Sequence, residues 1–405
     1  MASLICMEKG RVILNWKVVL GILTCNILFM SASYTMLIPF LPMYLTRELG
    51  VDAASVSLWS GIVFSASFLV SAIMAPIWGR MADTKGKRLM AMRASFLLSI
   101  SYFLGGIVQS PEQLTLMRLF QGFASGLWPM DLAIMTLYAP ASRLGLCLGI
   151  MQGVLTAGGV VGPLLGGVLA ELVGMRYSFF LASGALFLNF LIFTFVIKEP
   201  PAAQPQEKAT QPGTVSLFHI PLIRNMLLCG TLVQMVILIL QPILTTYIAH
   251  LAGNLPNLVF VAGLVFSLGG IAGAIGAPFW GSFGQRRGFF RAMCCGMAGA
   301  GITMILQGSW PNLYWFAFMQ FVGGLFFCAI HPAINAVLAA HTPPSHKGRI
   351  FGLLFAAQQV GSMAGPILGG VIATWLGMPF VFGFAGILLL ILSTAVHHAY
   401  IRRSS

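Results

Sequence analysis

The chain has 405 residues, of which 58% are hydrophobic and only 8% charged, and its mean hydropathy is +0.91. Soluble domains carry about a quarter charged residues, so a water-soluble enzyme or binding module is excluded and the sequence reads as a polytopic membrane protein. The net charge of +13 reports where Lys and Arg flank membrane spans rather than a nucleic-acid surface.

Apolar stretches of about 20 residues, the length that crosses about 30 Å of hydrocarbon, predict twelve spans. They fall at 17–37, 54–78, 89–109, 113–138, 145–171, 176–197, 222–247, 257–282, 289–309, 313–340, 349–374 and 378–398. The first span is full length and lacks a small-residue cleavage site, so it is expected to stay as a helix. Pro129 and Pro332 are expected to kink the fourth and tenth spans. Between the sixth and seventh, Lys198 to Pro221 is polar and contains Pro200, Pro201, Pro205 and Pro212, which predicts a linker outside lipid with a short surface helix near Val215 to His219.

The fold class expected is therefore an all-α membrane protein: a six-helix bundle over 1–197, a cytoplasmic linker over 198–221 and a second six-helix bundle over 222–405. With both termini cytoplasmic, every Lys and Arg except Arg47, Arg176 and the intramembrane Arg118 falls on the inner side, the bias shown by inner-membrane proteins. The seven cysteines lie in or beside spans without metal-ligand spacing, so they read as small packing residues and no metal site is expected.

The two halves repeat each other in parallel order. Gly158-x-x-x-Gly162-Pro163-x-x-Gly166-Gly167 in the fifth span returns as Gly361-x-x-x-Gly365-Pro366-x-x-Gly369-Gly370 in the eleventh, and Ala75 to Gly79 returns as Ala277 to Gly281. A parallel repeat points to two bundles around an axis normal to the membrane, with a substrate site between them at mid-depth. Gly158, Gly162 and Gly166 share one helix face, so a neighbouring helix can approach closely there. That surface is at once a packing seam and a seal against leak.

Between the second and third spans, Gly79-Arg80-Met81-Ala82-Asp83-Thr84-Lys85-Gly86-Lys87-Arg88 combines two turn-permitting glycines, a basic cluster and one acid. The fourth span carries Arg118-Leu119-Phe120-Gln121-Gly122. Together with the glycine repeat, these elements resemble the major facilitator superfamily and its drug/proton antiporter branch. The runs Trp59 to Ser65 and Lys347 to Phe351 are similar to multidrug exporters of that branch. The resemblance implies alternating access, with export of an amphipathic small molecule in exchange for protons. It also implies an inner gate of Gly79, Asp83, Gly86, Lys87 and Arg88, in which Asp83 meets the N-terminus of the eleventh helix near Gly348. Two positions depart from the pattern: Thr84 stands where the branch usually has Arg, and Gln285 where the second half would carry an acid.

No cofactor is expected beyond the proton as coupling ion. The expected partners are the substrate and the lipid bilayer, with no nucleic acid, and a monomer suffices to form the pathway. No nucleotide-binding loop, metal cluster or nucleophile motif suggests an enzyme, and no catalytic residue is assigned. An uptake carrier or uniporter for a sugar or another metabolite is the alternative within transport.

Charges inside hydrocarbon are costly and mark function by default. Arg118 and Asp131 are the two in the fourth span, about 20 Å apart along a straight helix and roughly 140° around it, so they cannot pair. Arg118 is either a fixed charge facing the cavity or a donor to helix carbonyls. Asp131, beside Trp128, is either a proton carrier in an apolar cavity or an acid in a wet mouth that pairs with a basic loop residue. The tenth span has Gln320 where the fourth has Arg118, followed by His331 as a second proton-carrier candidate. Between Gln320 and Pro332 the repeat offset lengthens by one residue, which predicts a bulge. Asn26, Tyr34, Gln234, Gln241, Asn335 and Gln358 join Trp128 and Gln320 as cavity candidates, among aromatics such as Phe40, Trp59, Phe64 and Phe120.

Overall fold

A backbone in lipid finds no water for its N–H and C=O groups and must satisfy them within itself, which apolar runs do by forming helices. The computed structural model describes residues 5–8, 11–36, 40–140, 143–198, 220–241, 243–253, 257–342 and 347–401. In the first half, α1 spans Trp16–Met36, α2 Leu41–Arg47, α3 Val56–Lys85, α4 Lys87–Ile107, α5 Pro111–Ala124, α6 Leu127–Tyr138, α7 Leu144–Leu172 and α8 Met175–Phe195. In the second, α9 spans Pro221–Ile239, α10 Leu244–Ala252, α11 Leu258–Arg287, α12 Phe289–Ser309, α13 Leu313–Ala340, α14 Lys347–Trp375 and α15 Met378–Val396, extended by a π-helical turn at His397–Ile401. Among the described residues, eleven stretches are long and apolar enough to cross a membrane, with α9 and α10 counted as one. A short antiparallel ribbon, Ile5–Glu8 against Arg11–Leu14, precedes α1 where no strand was expected. Most of the expected linker, with its surface helix at Val215 to His219, lies outside the described residues.

The fourth expected span is where the count falls short of twelve. It is divided into α5, of 14 residues, and α6, of 12, and the division comes at Ser125 and Gly126 rather than at Pro129. Gly126 takes φ +113°, a conformation that glycine adopts at no steric cost. Pro129 lies in the first turn of α6, where backbone N–H groups have no intrahelical partner to lose. The proline therefore opens a helix instead of kinking one. In the second half, α13 runs through its own Pro332 without interruption, so the expected bulge is absent.

The segment from Gly79 to Arg88 is likewise not a loop. α3 continues through it to Lys85 and α4 begins at Lys87, with Gly86 at φ +99° as the whole turn. The expectation of tight backbone holds at Gly86 and is corrected at Gly79, which is helical with open space where a Cβ would stand.

Buried apolar residues gather in two clusters, one running from Val19 to Ile197 with Val259, the other from Ile223 to Val396. The glycine repeat binds helices within and between them. A Cβ on Gly158, Gly162 or Gly166 of α7 would strike Ser31, Thr35 or Met36 of α1, and a Cβ on Gly361, Gly365 or Gly369 of α14 would strike Thr231, Met235 or Ile239 of α9. The remaining glycines face across. Gly167 meets Phe260 of α11, Gly370 meets Ser57 of α3, Gly61 of α3 meets the Pro366 carbonyl, and Gly263 of α11 meets the Pro163 carbonyl. Beside each proline, a serine donates to a carbonyl of the facing helix: Ser65 Oγ to Met363 O at 2.7 Å and Ser267 Oγ to Val160 O at 2.6 Å. Lipid supplies no hydrophobic force between helices, so such backbone approach and hydrogen bonding supply much of the cohesion.

A Gly166→Val variant forces its side chain into the α1 backbone and is expected to destabilise the protein by about 1–3 kcal/mol, read as a lowered melting temperature in detergent. Gly149→Val, at a position with nothing within 4 Å, is the control and should melt like the parent; equal melting of both would contradict the packing account.

Candidate functional site

A cavity of about 390 Å³ lies mainly in the first half, walled by α1, α3, α4, α5, α6, α7 and α8, with Phe355 and Gln359 of α14 bordering it from the second half. Its lining is mainly apolar and aromatic, with Met30, Tyr34, Phe68, Trp78, Tyr102, Trp128 and Phe355 among its residues, and it carries no ionisable side chain other than the two tyrosines. Polar atoms are few and connected. Gln359 Nε2 of α14 donates to Ser71 Oγ of α3 at 3.2 Å, and Ser71 Oγ shares a 2.9 Å hydrogen bond with Ser125 Oγ at the α5/α6 break. One thread of hydrogen bonds thus runs from the second half to the broken helix across the cavity wall. A wall of this kind, broad and apolar with a few fixed polar points, suits a small amphipathic molecule.

The break itself is built into the wall. Carbonyls at the end of a helix lack intrahelical donors, and here two side chains serve them. Trp78 Nε1 donates to Phe123 O at 2.9 Å and Arg93 Nη2 to Ser125 O at 2.8 Å. The Arg93 guanidinium lies 3.7 Å from the Trp78 ring centroid, a stacked arrangement favourable for both groups. Ser125, Gly126 and the first turn of α6 consequently face the cavity.

Of the residues singled out from sequence, Tyr34 and Trp128 line this cavity. Arg118 is buried behind it and donates from Nη1 to Gln121 Oε1 at 2.7 Å, so its partner is a cavity-lining amide and not a helix carbonyl. Asp131 is fully buried and outside the lining, and neither carboxylate oxygen has a hydrogen-bond partner among the described residues. Both expected settings are therefore corrected: Asp131 lines neither the apolar cavity nor a wet mouth where it pairs with a basic residue. α6 packs against α1, α4 and α7.

Asn26 is likewise corrected: it is fully buried and lines neither this cavity nor the one around Gln241, while its backbone carbonyl accepts from Asn189 Nδ2 at 3.2 Å. Gln234 donates to Ser362 Oγ at 3.2 Å, and Gln358 Nε2 lies 3.1 Å from His331 Nδ1; both amides join α14 to a neighbour in place of lining the cavity. Asn335 is exposed, and Phe40 and Phe64 belong to the buried core. Gln241 and Gln320 line a different cavity. In the expected inner gate, Arg88 donates to the Phe193 and Thr194 carbonyls at 2.8 and 2.6 Å, which ties α4 to the end of α8. The Asp83 side chain and those of Lys347 to Arg349 lie outside the described residues.

Sequence reasoning missed Tyr102, Ser67, Ser71 and Arg93. Ser67 and Ser71 stand one helical turn apart on α3, a polar stripe in an apolar run, and that was their available signal. Nothing local marks Arg93, which sits among basic neighbours near a helix start.

Comparisons with known proteins agree with this architecture. The profile of the Major Facilitator Superfamily matches residues 23–261 and 226–404. The chain is 33% identical over 374 residues to the multidrug resistance protein MdtG of Proteus mirabilis (strain HI4320), covering 91% of this chain and 92% of that one. It is 31% identical over 390 residues to MdtG of Dickeya zeae (strain Ech586), covering 96% and 94%. Among solved structures, a bacterial homologue of the human lysosomal transporter Spinster, in an inward-facing and occupied conformation, superposes with a TM-score of 0.79 at 18% identity over 95% of this chain and 97% of that one. The nucleoside transporter NupG superposes with a TM-score of 0.73 at 16% identity, over 95% and 99%. At such identities the two structures speak for the fold alone.

Arg93→Ala strips a charged donor from the end of α5 and is expected to cost about 2 kcal/mol, measured as a lowered melting temperature. Arg80→Ala, at an exposed position on the same side, should leave melting unchanged, and equal effects would show that the Arg93 cap is dispensable.

Proposed function

The chain belongs to the Major Facilitator Superfamily, and on that premise we propose that it is a secondary active transporter exporting amphipathic small molecules by proton antiport. The observation that carries this reading is the cavity of about 390 Å³ in the first half, walled by aromatics and methionines and bordered by Phe355 and Gln359 of the second half. Likeness to MdtG over more than nine-tenths of the chain supports a multidrug substrate range.

In this reading α5 and α6 together make one span, which brings the total to twelve, arranged as bundles over 1–197 and 222–405 about a cytoplasmic linker. The chain sits in the inner membrane with both termini cytoplasmic, works as a monomer and uses no cofactor except the coupling proton. The glycine and serine contacts between α3 and α14 and between α7 and α11 close the periplasmic end. The cavity reaches Trp78 and Gly79 near the basic ends of α3 and α4, and in this reading that is the side open to the cytoplasm. Export requires the reverse state as well, in which Gly79, Asp83, Gly86, Lys87 and Arg88 close the inner side.

Asp131 is assigned the coupling proton. A buried carboxyl without a partner is costly in a membrane, and such residues mark ion pathways. It stands directly behind the α6 turn that borders the cavity, so gain or loss of a proton there can bias the break at Gly126. His331, held by Gln358, is the second candidate.

Efflux of a fluorescent lipophilic cation from reconstituted vesicles, with and without a proton gradient, tests the reading. Gradient-driven efflux that collapses with a protonophore is expected. Asp131→Asn should reduce uphill efflux to the protonophore level while substrate binding persists. Undiminished uphill transport by that variant would remove Asp131 from coupling, and transport only down the substrate's own gradient would favour a uniporter.

A further inference from the structure

A second cavity, of about 240 Å³, lies wholly within the second half between α9, α10, α11, α12 and α13, and shares no residue with the larger one. We propose that it is a distinct ligand site, which takes an uncharged molecule with an apolar ring or chain bearing a hydrogen-bond donor beside an acceptor, as in a phenol or a lactam. The proposal concerns binding at this site and stands independently of what the larger cavity carries.

Three amides make the polar side of the cavity. Gln241 follows the last turn of α9, is only 9% exposed, and its Oε1 is buried with no hydrogen-bond partner among the described residues. Buried polar atoms are almost always hydrogen-bonded, so an unmet acceptor in a cavity wall calls for a donor from whatever fills the cavity. Gln307 Nε2 of α12 donates to Gln320 Oε1 of α13 at 2.8 Å. That bond fixes the Gln320 amide and leaves its Nε2 over Gly269, 3.2 Å from where a Cβ would stand. Gly269 is itself part of the wall, so Nε2 is a donor at the cavity surface. The ligand thus meets a buried acceptor at Gln241 and a donor at Gln320 held by Gln307.

The rest of the wall excludes charge. No lining residue is ionisable, and Phe266, Met304, Met319 and Phe327 contribute apolar surface. An ion here would lose its hydration without a counter-charge. The site lies where α9 and α12 end and α13 begins, toward the end of the molecule that the contacts of α3 with α14 and α7 with α11 close. Sequence placed Gln241, an amide at membrane depth, and Gln320, the counterpart of Arg118, in one central cavity; that both line this cavity together with Gln307 is a tertiary fact.

The test uses the purified full-length chain in detergent. It is irradiated with 4-(trifluoromethyldiazirinyl)phenol or with the methyl ether of that phenol, which lacks the donor, and modified peptides are located by mass spectrometry. The phenol is expected to modify peptides of α9 and α13 around Met319 in preference to the ether. Gln241→Leu should lower that yield about tenfold, the effect of one lost hydrogen bond to a buried acceptor, while the ether's yield and any modification near Trp128 stay unchanged. Should Gln241→Leu fail to fold by its melting profile, Gln320→Met, which removes the other amide, is expected to give the same loss. Equal labelling by phenol and ether, an unchanged phenol yield in the folded variant, or no modification of α9 and α13 would each overturn the proposal.

Discussion

Backbone-to-backbone approach at glycine is the constraint on which this molecule depends. α7 and α14 each present one glycine face to a helix of their own half and a second face to the opposite half. A side chain at any of these positions would push two helices apart, and lipid offers no hydrophobic force to draw them back. Pro163 and Pro366 add to the arrangement. Each lacks an N–H, and a glycine of the facing helix, Gly263 or Gly61, lies against its carbonyl while Ser267 or Ser65 donates one turn earlier in the same helix. The two sets of contacts correspond through the sequence repeat, so the closure is built twice.

What the closure leaves is an asymmetric interior. On the first-half side the wall is broken at Gly126, and the loose ends are tied by Trp78 and Arg93. On the second-half side the counterpart helix α13 is continuous, and Trp280 donates to Leu325 O at 2.6 Å as Trp78 does to Phe123. The same tryptophan device therefore serves a broken helix in one half and an unbroken one in the other. Arg93 is the addition that accompanies the break. A helix interrupted at a positive-φ glycine, held by side chains that can release it, is the kind of element able to adopt two arrangements.

Much of this was legible beforehand, for reasons specific to membrane chains. Eleven of the twelve expected spans followed from hydropathy because hydrocarbon thickness sets helix length, and the glycine faces followed because repetition in register identifies spacing that packing requires. The errors have a common origin. Gly79 and Gly126 look alike in sequence, yet one is helical and the other breaks a helix, where the Trp78 and Arg93 side chains serve the freed carbonyls. Pro129 looked like a kink because its distance from the true helix start was unknown. Asp131 and Asn26 were judged by polarity, and only packing decides whether a polar residue at membrane depth faces a cavity or a neighbouring helix.

Alternating closure of the two ends is the central claim, and paired distance measurements test it most directly. Spin labels at Asp52 and Leu376 report on the end where α3 begins and α14 stops, and labels at Lys85 and Arg287 report on the opposite end. All four positions are exposed. Double electron–electron resonance in lipid nanodiscs, at two pH values and with or without a bound lipophilic cation, should show the first distance lengthening under conditions in which the second shortens. Distances that stay fixed across all conditions, or that change together in the same sense, would contradict it.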